Sequence, residues 1–208
     1  MQMTDTTQVT SIFELLIKGG IIMIPILLLS VLSIYLFIER FLYIRNATQI
    51  NTGLIAGVMD ELKKRSAAKA IELSQQDDTA TGRILESGIA QAGKPLSEIE
   101  GQMESVTNLE ISMMEKDMGY LGIIAGVAPM LGFIGTISGV IKIFYNISLA
   151  DNISIGIIAG GLYQKMICSG TGLIVGVIAY SCYHYLQMMI DRFSIDMQRQ
   201  VNEVIKAF

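Results

Sequence analysis

Residues 119–141 read GYLGIIAGVAPMLGFIGTISGVI, and this stretch decides the fold class. It carries no charged side chain, and its glycines, together with Pro129 and Thr136, alternate with bulky aliphatic residues. A helix needs about 20 apolar residues to cross the hydrocarbon core of a bilayer. Residues 19–38 and 166–190 also lack Asp, Glu, Lys and Arg over a sufficient length. The sequence therefore predicts an all-α integral membrane protein with three transmembrane helices.

The first of these windows is predicted to remain in the protein as an anchor. A cleaved signal peptide begins with a basic segment and ends at a small-residue cleavage site. Here mixed residues precede the window, and Glu39 and Arg40 follow it as expected interfacial anchors. The hydrophobic content of 51% agrees with contact to membrane lipid, and the net charge of −4 gives no indication of nucleic-acid binding.

The basic residues predict the topology. Residues 39–118 hold nine of the 15 Lys and Arg, and the positive-inside rule places such segments in the cytoplasm. The tail is placed there too, so that the N-terminus lies outside. The predicted segments are an outer N-terminus (1–18), three membrane helices (19–44, 119–144 and 161–188), a cytoplasmic helical domain (45–118), an outer loop (145–160) and a cytoplasmic C-terminal helix (189–208).

The second and third spans are predicted to extend far into the cytoplasm as a helical bundle. No proline or paired glycine interrupts the helical spacing between Glu98 and Gly119, which predicts one helix from Glu98 to Phe144. Ser97, followed by Glu100, matches a capping box at its start. The tail carries an apolar stripe that fits packing on the chain's own helices, on a neighbouring copy, or on both. Its members are Leu186, Met189, Ile190, Phe193, Met197, Val201, Val204, Ile205 and Phe208.

Small residues gather on one side of the second span, in a sector of roughly 140° on a helical wheel. Such faces let membrane helices approach one another closely. Thr136 lies in this sector, where its hydroxyl can line a passage or bond back to a carbonyl of its own helix. The small faces of the second and third spans are assigned Gly122, Gly126, Pro129, Gly132, Gly135, Gly139, Gly172 and Gly176.

The third span carries two hydroxyl residues on different sides. Ser169 shares a narrow face with the glycines, whereas Thr171 is about 200° away, on a flank with Gln164 and Cys168. The two hydroxyls therefore cannot both face one straight pore. Cys168 and Cys182 are separated by about 21 Å along the same helix and cannot form a disulfide.

The three windows contain no Asp or Glu. Ion relays through membranes normally use such carboxylates, so an ion-conducting role requires an acid from a partner helix. A passage lined with hydroxyls and glycines can receive one. The sequence contains no phosphate loop, no metal-ligand spacing and no Ser/His/Asp grouping, so neither an enzyme nor a cofactor or metal is predicted.

Two segments resemble a known family. APMLGFIGTISGVIKIF, at 128–144, resembles the second-span signature A-P-x-x-G-x-x-G-T-x-x-G of the ExbB/TolQ/MotA family of ion-driven motor subunits, and it is closest to ExbB and TolQ. GGLYQKMICSGTGLIVGVIAY, at 160–180, is similar to the third-span pattern of that family. The resemblance implies a homo-oligomeric, pentameric ring around an ExbD/TolR-like single-span partner with a transmembrane Asp. It also implies a bacterial inner-membrane location, with the outer segments in the periplasm.

The resemblance further implies a proton channel that uses the proton motive force to act on a TonB-like protein and power transport at the outer membrane. By position, Thr136 and Ser169 match the pore threonines of the second and third spans. Gln164 stands where the family pattern has Glu, beside an unusual Lys165, which implies a change in gating, ion access, ion or partner. The predicted ion pathway consists of Thr136, Ser169, Thr171 and Gln164.

Other functions remain open at this point. One is a TolQ-like subunit of a motor that maintains the cell envelope. Another, of a different class, is a non-conducting membrane scaffold whose small faces only pack helices. A small transporter is disfavoured, because three spans show neither inverted repeats nor broken helices.

Overall fold

The computed structural model describes residues 20–49, 51–149 and 155–206, and the described chain is predominantly helical. Three of its helical segments are long and apolar enough to cross a membrane. This confirms the predicted all-α membrane protein for the described part of the chain. In chain order the helices are α1 (Met23–Ala47), α2 (Thr52–Lys63), α3 (Ala67–Gln75), α4 (Ala80–Ile89), α5 (Leu96–Glu115), α6 (Met118–Ser148) and α7 (Ile155–Ile205).

The described residues fall into two compact units. The apolar unit consists of residues 20–35, 120–149 and 155–181, and the polar unit consists of residues 36–49, 51–119 and 182–206. Helices α1, α6 and α7 each continue from one unit into the other. The third span therefore runs on as a single helix into the polar unit, as its periodicity predicts.

Large apolar side chains cover much of the outside of the apolar unit. Met130 and Phe133, for example, are 64% and 62% exposed in the single chain. Such exposure suits contact with lipid, because lipid tails are as apolar as the side chains themselves. Pro25 is the third residue of α1, where the N–H that it lacks would have no partner within the helix. This proline therefore lies in the first turn of α1 without removing a hydrogen bond of the helix.

The polar unit packs the shorter helices in sequence, α2 on α3, α3 on α4 and α4 on α5. It also buries the apolar stripe of the tail, which lies on α7. Packing within the chain therefore accounts for most of this stripe, while Phe208 lies outside the described residues. The buried members are Leu186, Ile190, Phe193, Met197, Val201 and Val204.

A buried ion pair joins α4 to α5 within the polar unit. The Arg83 guanidinium donates from Nε to Oε1 of Glu110 at 2.6 Å and from Nη2 to Oε2 at 2.7 Å. Glu110 is almost fully buried, whereas the Arg83 side chain is 39% exposed. These hydrogen bonds raise the pKa of Arg83 above its ordinary value. The two-point geometry compensates for the removal of the carboxylate from water.

The prediction of one helix from Glu98 to Phe144 is wrong at a single point. Helix α5 ends at Glu115 and α6 begins at Met118, because Lys116 has an extended ψ of 136° and Asp117 a left-handed φ of 62°. Asp tolerates this conformation better than most residues, so no Gly or Pro is needed to mark the break. The capping box is also wrong: Pro95 is the N-cap of α5, and Ser97 lies inside its first turn.

Arg40 lies at this break. Its Nη1 donates to the Met113 carbonyl at 3.4 Å, and its Nη2 lies 3.6 Å from the Asp117 carboxylate. The same guanidinium donates two hydrogen bonds to Glu39, and it lies over the ring of Tyr43. A cation here neutralises the free carbonyl end of α5 and the charge of Asp117. Of the two predicted anchor residues, Arg40 therefore also binds the α5–α6 junction, and Glu39 binds Arg40.

The helix ends refine the predicted segments. The predicted domain 45–118 contains helices α2 to α5, and the predicted loop 145–160 is helical up to Ser148 and again from Ile155. The predicted N-terminal segment, 1–18, and residues 150–154 of the loop lie outside the described residues.

Candidate functional site

Within the apolar unit, α6 and α7 pack in antiparallel fashion, with a small residue at each closest approach. A Cβ atom added to Gly172 would lie 2.5 Å from the Ala128 carbonyl oxygen and 3.1 Å from the Cα of Gly132. One added to Gly132 would lie 3.0 Å from the Cα of Ser169. These neighbours are backbone atoms, which cannot move aside as side chains do. Glycine is therefore required for this distance between the helices.

Pro129 explains the position of Gly176. The proline lacks an N–H, so the carbonyl of Ala125, four residues earlier, loses its usual helical partner. The Cβ position at Gly176 would overlap the Pro129 ring and would lie 2.9 Å from that carbonyl oxygen. A residue without a side chain on α7 thus accommodates the irregular turn of α6.

The hydroxyl of Thr136 connects the two helices. Its Oγ1 lies 3.2 Å from the Gly132 carbonyl of its own helix and 3.2 Å from the Lys165 carbonyl of α7. The single hydroxyl proton is shared between these two acceptors, so both lone pairs of the oxygen can accept a further hydrogen bond. Thr136 is half-buried. This position suits both alternatives of the sequence analysis, a helix bridge and a pathway residue.

Two more hydroxyls belong to the predicted ion pathway. Thr171 donates to the Ile167 carbonyl on its own helix at 2.9 Å. Among the described residues, the hydroxyl of Ser169 has no hydrogen-bond partner, and this residue is half-buried beside Gly132. The side chain of Gln164 lies outside the described residues. Thr136 and Ser169 thus occupy the same contact between α6 and α7, whereas Thr171 does not bond across it.

The predicted small-face residues have different surroundings in the single chain. Gly135 faces Cys168 and the Ile22 side chain, so it contacts both α7 and the residue that precedes α1. Gly122 is exposed, and a Cβ atom at Gly126 would have no neighbour within 4 Å. Gly126 is therefore not needed for the packing of α6 on α7, and the side of α6 that carries these two exposed glycines is open to another helix in the single chain.

Gly139 has a function that residue size alone does not reveal. The side chain of Lys165 occupies the position that a Cβ atom at Gly139 would take, so a methyl group there would displace the lysine stem. The Nζ atom would lie 3.6 Å from a Cβ at Gly20, before α1. Gly139 therefore accommodates a lysine stem rather than a helix backbone. In the sequence, a lysine within one apolar span and a glycine within the other were the signal that could have indicated this contact.

No group of three or more His, Cys, Asp or Glu side chains in the described residues could hold a metal ion. The described part of the apolar unit, residues 20–35, 120–149 and 155–181, also contains no Asp or Glu. Acid–base chemistry at the α6–α7 contact is therefore limited to hydroxyls, the Cys168 thiol, tyrosines and lysines. The fold and the site together are those of a membrane helix bundle with an apolar interior that carries hydroxyl groups.

Residues 76–199 match the MotA/TolQ/ExbB proton channel family, and the chain belongs to this family. The match includes all of α6 and most of α7. A biopolymer transport protein ExbB homolog from Methanothermobacter thermautotrophicus is 30% identical over 87% of this chain. This chain spans 64% of the length of that relative.

Two further relatives have the same identity to this chain but cover different shares of it. A biopolymer transport protein named ExbB-like 3, from Synechocystis, is 26% identical over 89% of this chain and 90% of its own length. The Tol-Pal system protein TolQ from Haemophilus influenzae is 26% identical over 52% of this chain and 49% of its own length. The chain is thus a member of a proton channel family that includes ExbB and TolQ proteins, and no catalytic activity is indicated for the family.

Proposed function

We propose that this chain is the ring-forming subunit of a proton-driven motor in the bacterial inner membrane. In this proposal five copies surround an ExbD/TolR-like single-span partner, with the N-terminus in the periplasm and the polar unit in the cytoplasm. Protons move between the partner's transmembrane Asp and the hydroxyls of Thr136 and Ser169. The resulting movement acts on a TonB-like protein to power transport at the outer membrane.

The observation that carries this proposal is the chemistry of the apolar unit. Its described residues provide hydroxyls at the α6–α7 contact but no carboxylate, although the family is described as a proton channel. Proton relays in membranes normally use carboxylates. A partner that brings its own acid into the ring supplies the missing group.

Two features of the single chain are consistent with a ring. Gly122 and Gly126 leave one side of α6 open to close approach by another helix. Closed rotational symmetry is the usual form of soluble homo-oligomers, and it lets every copy present the same face to a central partner. The number five rests on the family resemblance.

The test replaces Thr136 with Val, which keeps the side-chain shape and removes the hydroxyl. The variant complex is expected to assemble, to lose most of its proton flux in vesicles and to lose TonB-dependent ligand uptake in cells. Thr136→Ser restores the hydroxyl and is expected to recover much of the flux. Ser181→Ala is the matched control, since this exposed hydroxyl donates to a carbonyl four residues earlier, as Thr136 does, but not to a second helix. Normal uptake when Thr136 and Ser169 are both replaced would defeat the proposal.

Two alternatives have their own support. The TolQ relative favours a motor that maintains the cell envelope, in which case deletion weakens the envelope and leaves TonB-dependent uptake intact. The two carbonyl acceptors of Thr136 favour a non-conducting scaffold, because a hydroxyl bound in this way can serve packing alone. A scaffold predicts that Thr136→Val lowers stability and that no complex of the chain conducts protons.

A further inference from the structure

Lys165 is a charged residue inside the apolar unit. Its backbone carbonyl accepts the Thr136 hydroxyl at 3.2 Å, and its stem runs over Gly139, one helical turn further along α6. The ammonium then lies beside Gly20. Since one turn of helix rises by about 5 Å, the charge lies close to the level of the hydroxyl that the proposed pathway uses. The residue as a whole is half-buried.

The described surroundings of Lys165 contain no acid. From α6 the nearest charged group in the chain is Lys142, which is exposed, and residues 20–34 contribute no titratable group. On its own helix, the Cys168 thiol lies one turn away, and Tyr163 is exposed. Among the described residues no carboxylate forms an ion pair with Lys165. A positive charge held among apolar helices is costly without a negative partner.

Resting on the function proposed above, we propose that Lys165 is the fixed positive charge that stabilises the ionised form of the partner's transmembrane carboxylic acid. Gly139 makes this possible, because any larger residue would displace the lysine stem. The negative charge of the partner's carboxylate and the positive charge of the Lys165 ammonium compensate each other. The ring supplies the positive charge, and the single-span partner supplies the negative charge. Opposite charges in a medium of low polarity attract over several ångströms.

The consequence concerns the proton affinity of the partner's acid. A nearby positive charge favours the carboxylate over the neutral acid, and it therefore lowers the pKa of that acid. Without the charge, the acid binds its proton at a higher pH. The pH at which proton flux falls to half of its maximum should then move upwards, by about one pH unit for a charge at roughly 10 Å.

The experiment uses the complex of the full chain and its single-span partner, purified through a tag on this chain and reconstituted into phosphatidylethanolamine–phosphatidylglycerol vesicles. Proton flux is followed with a trapped pH-sensitive dye across a series of external pH values. Lys165→Met and Lys165→Gln are expected to raise the midpoint by about one pH unit. Lys165→Arg keeps the charge and should leave the midpoint unchanged. Lys142→Met is the matched control, because it removes an equal charge that does not lie over Gly139.

Two results would overturn the inference while leaving the proposed function intact. The first is normal flux with an unshifted midpoint in Lys165→Met and Lys165→Gln, which would mean that the ammonium only reaches towards water at the membrane surface. The second is a downward shift of similar size in Asp5→Asn, Glu14→Gln or Asp151→Asn, which would mean that an acid of this chain neutralises Lys165 in the unmodified complex. Absence of flux in the unmodified complex would instead defeat the proposed function, and this inference with it.

Discussion

The apolar unit and the polar unit are both helical, but different side chains hold them together. In the apolar unit α6 and α7 approach each other most closely at three glycines, Gly132, Gly172 and Gly176. In the polar unit the helices meet through buried Leu, Ile and Met side chains and through the Arg83–Glu110 pair. Helices α1, α6 and α7 belong to both units, so a single helix changes its mode of packing along its length.

This difference in packing follows from the surroundings of each unit, which are lipid for the apolar unit and water for the polar unit. In water, burial of apolar side chains stabilises a helix bundle by about 25 cal/mol for each Å² removed from solvent. In lipid this gain is absent, and close backbone approach through small residues replaces it. A buried ion pair is likewise tolerated in the polar unit, whereas the described apolar unit contains two lysines and no acid at all.

The largest expected effect tests the packing of the apolar unit. Gly172→Ala places a methyl group against the Ala128 carbonyl oxygen, and it should lower the free energy of unfolding by about 2–3 kcal/mol. Denaturant titration of the purified protein in detergent measures this change. Gly170→Ala is the matched control on the same helix, with no neighbour within 4 Å, and it should be neutral or slightly stabilising. Equal losses in both variants would show that close approach to the Ala128 carbonyl oxygen does not decide stability here.

A smaller effect tests the polar unit. Arg83→Met leaves the Glu110 carboxylate buried without its partner, and it should cost about 2 kcal/mol. The cost is below that of a fully buried pair, because part of the Arg83 side chain is exposed to water. The double variant Arg83→Met, Glu110→Leu should recover most of the loss, since neither charge then remains.

Lys64→Met is the comparison for this pair. Lys64 also contacts two acids, Asp60 and Glu61, but its side chain is exposed to solvent, so its replacement should leave thermal stability unchanged. If this variant loses as much stability as Arg83→Met, the burial of Glu110 is not what matters in the polar unit.

Sequence alone defines much of this fold because its main signals are long and redundant. Three uncharged windows identify the spanning helices, and the stripe on the tail predicts which side of α7 the polar unit buries. The break at Lys116–Asp117 could not be predicted in this way. It depends on one left-handed residue and on Arg40, which is distant in sequence and contacts both Met113 and Asp117.

The candidate site shows the same limit. A helical wheel groups small residues together, but it does not tell which of them meet a helix, a side chain or open space. Gly126 and Gly139 lie on the small face of α6, and Gly172 lies on that of α7. A Cβ at Gly172 would meet backbone atoms, one at Gly139 would meet the Lys165 stem, and one at Gly126 would meet nothing within 4 Å. Only the pairing of α6 with α7 separates these cases. The roles of Thr136, Ser169 and Thr171 in ion movement stay predictions.

In the proposed function, the apolar unit cannot move protons without an acid from another chain. The most direct test compares proton flux in vesicles that contain this chain alone, the chain with its single-span partner, and the chain with a partner whose transmembrane Asp is replaced by Asn. We expect flux from the complete complex and background rates from the other two. Flux from the chain alone, equal to that of the complex, would contradict the account.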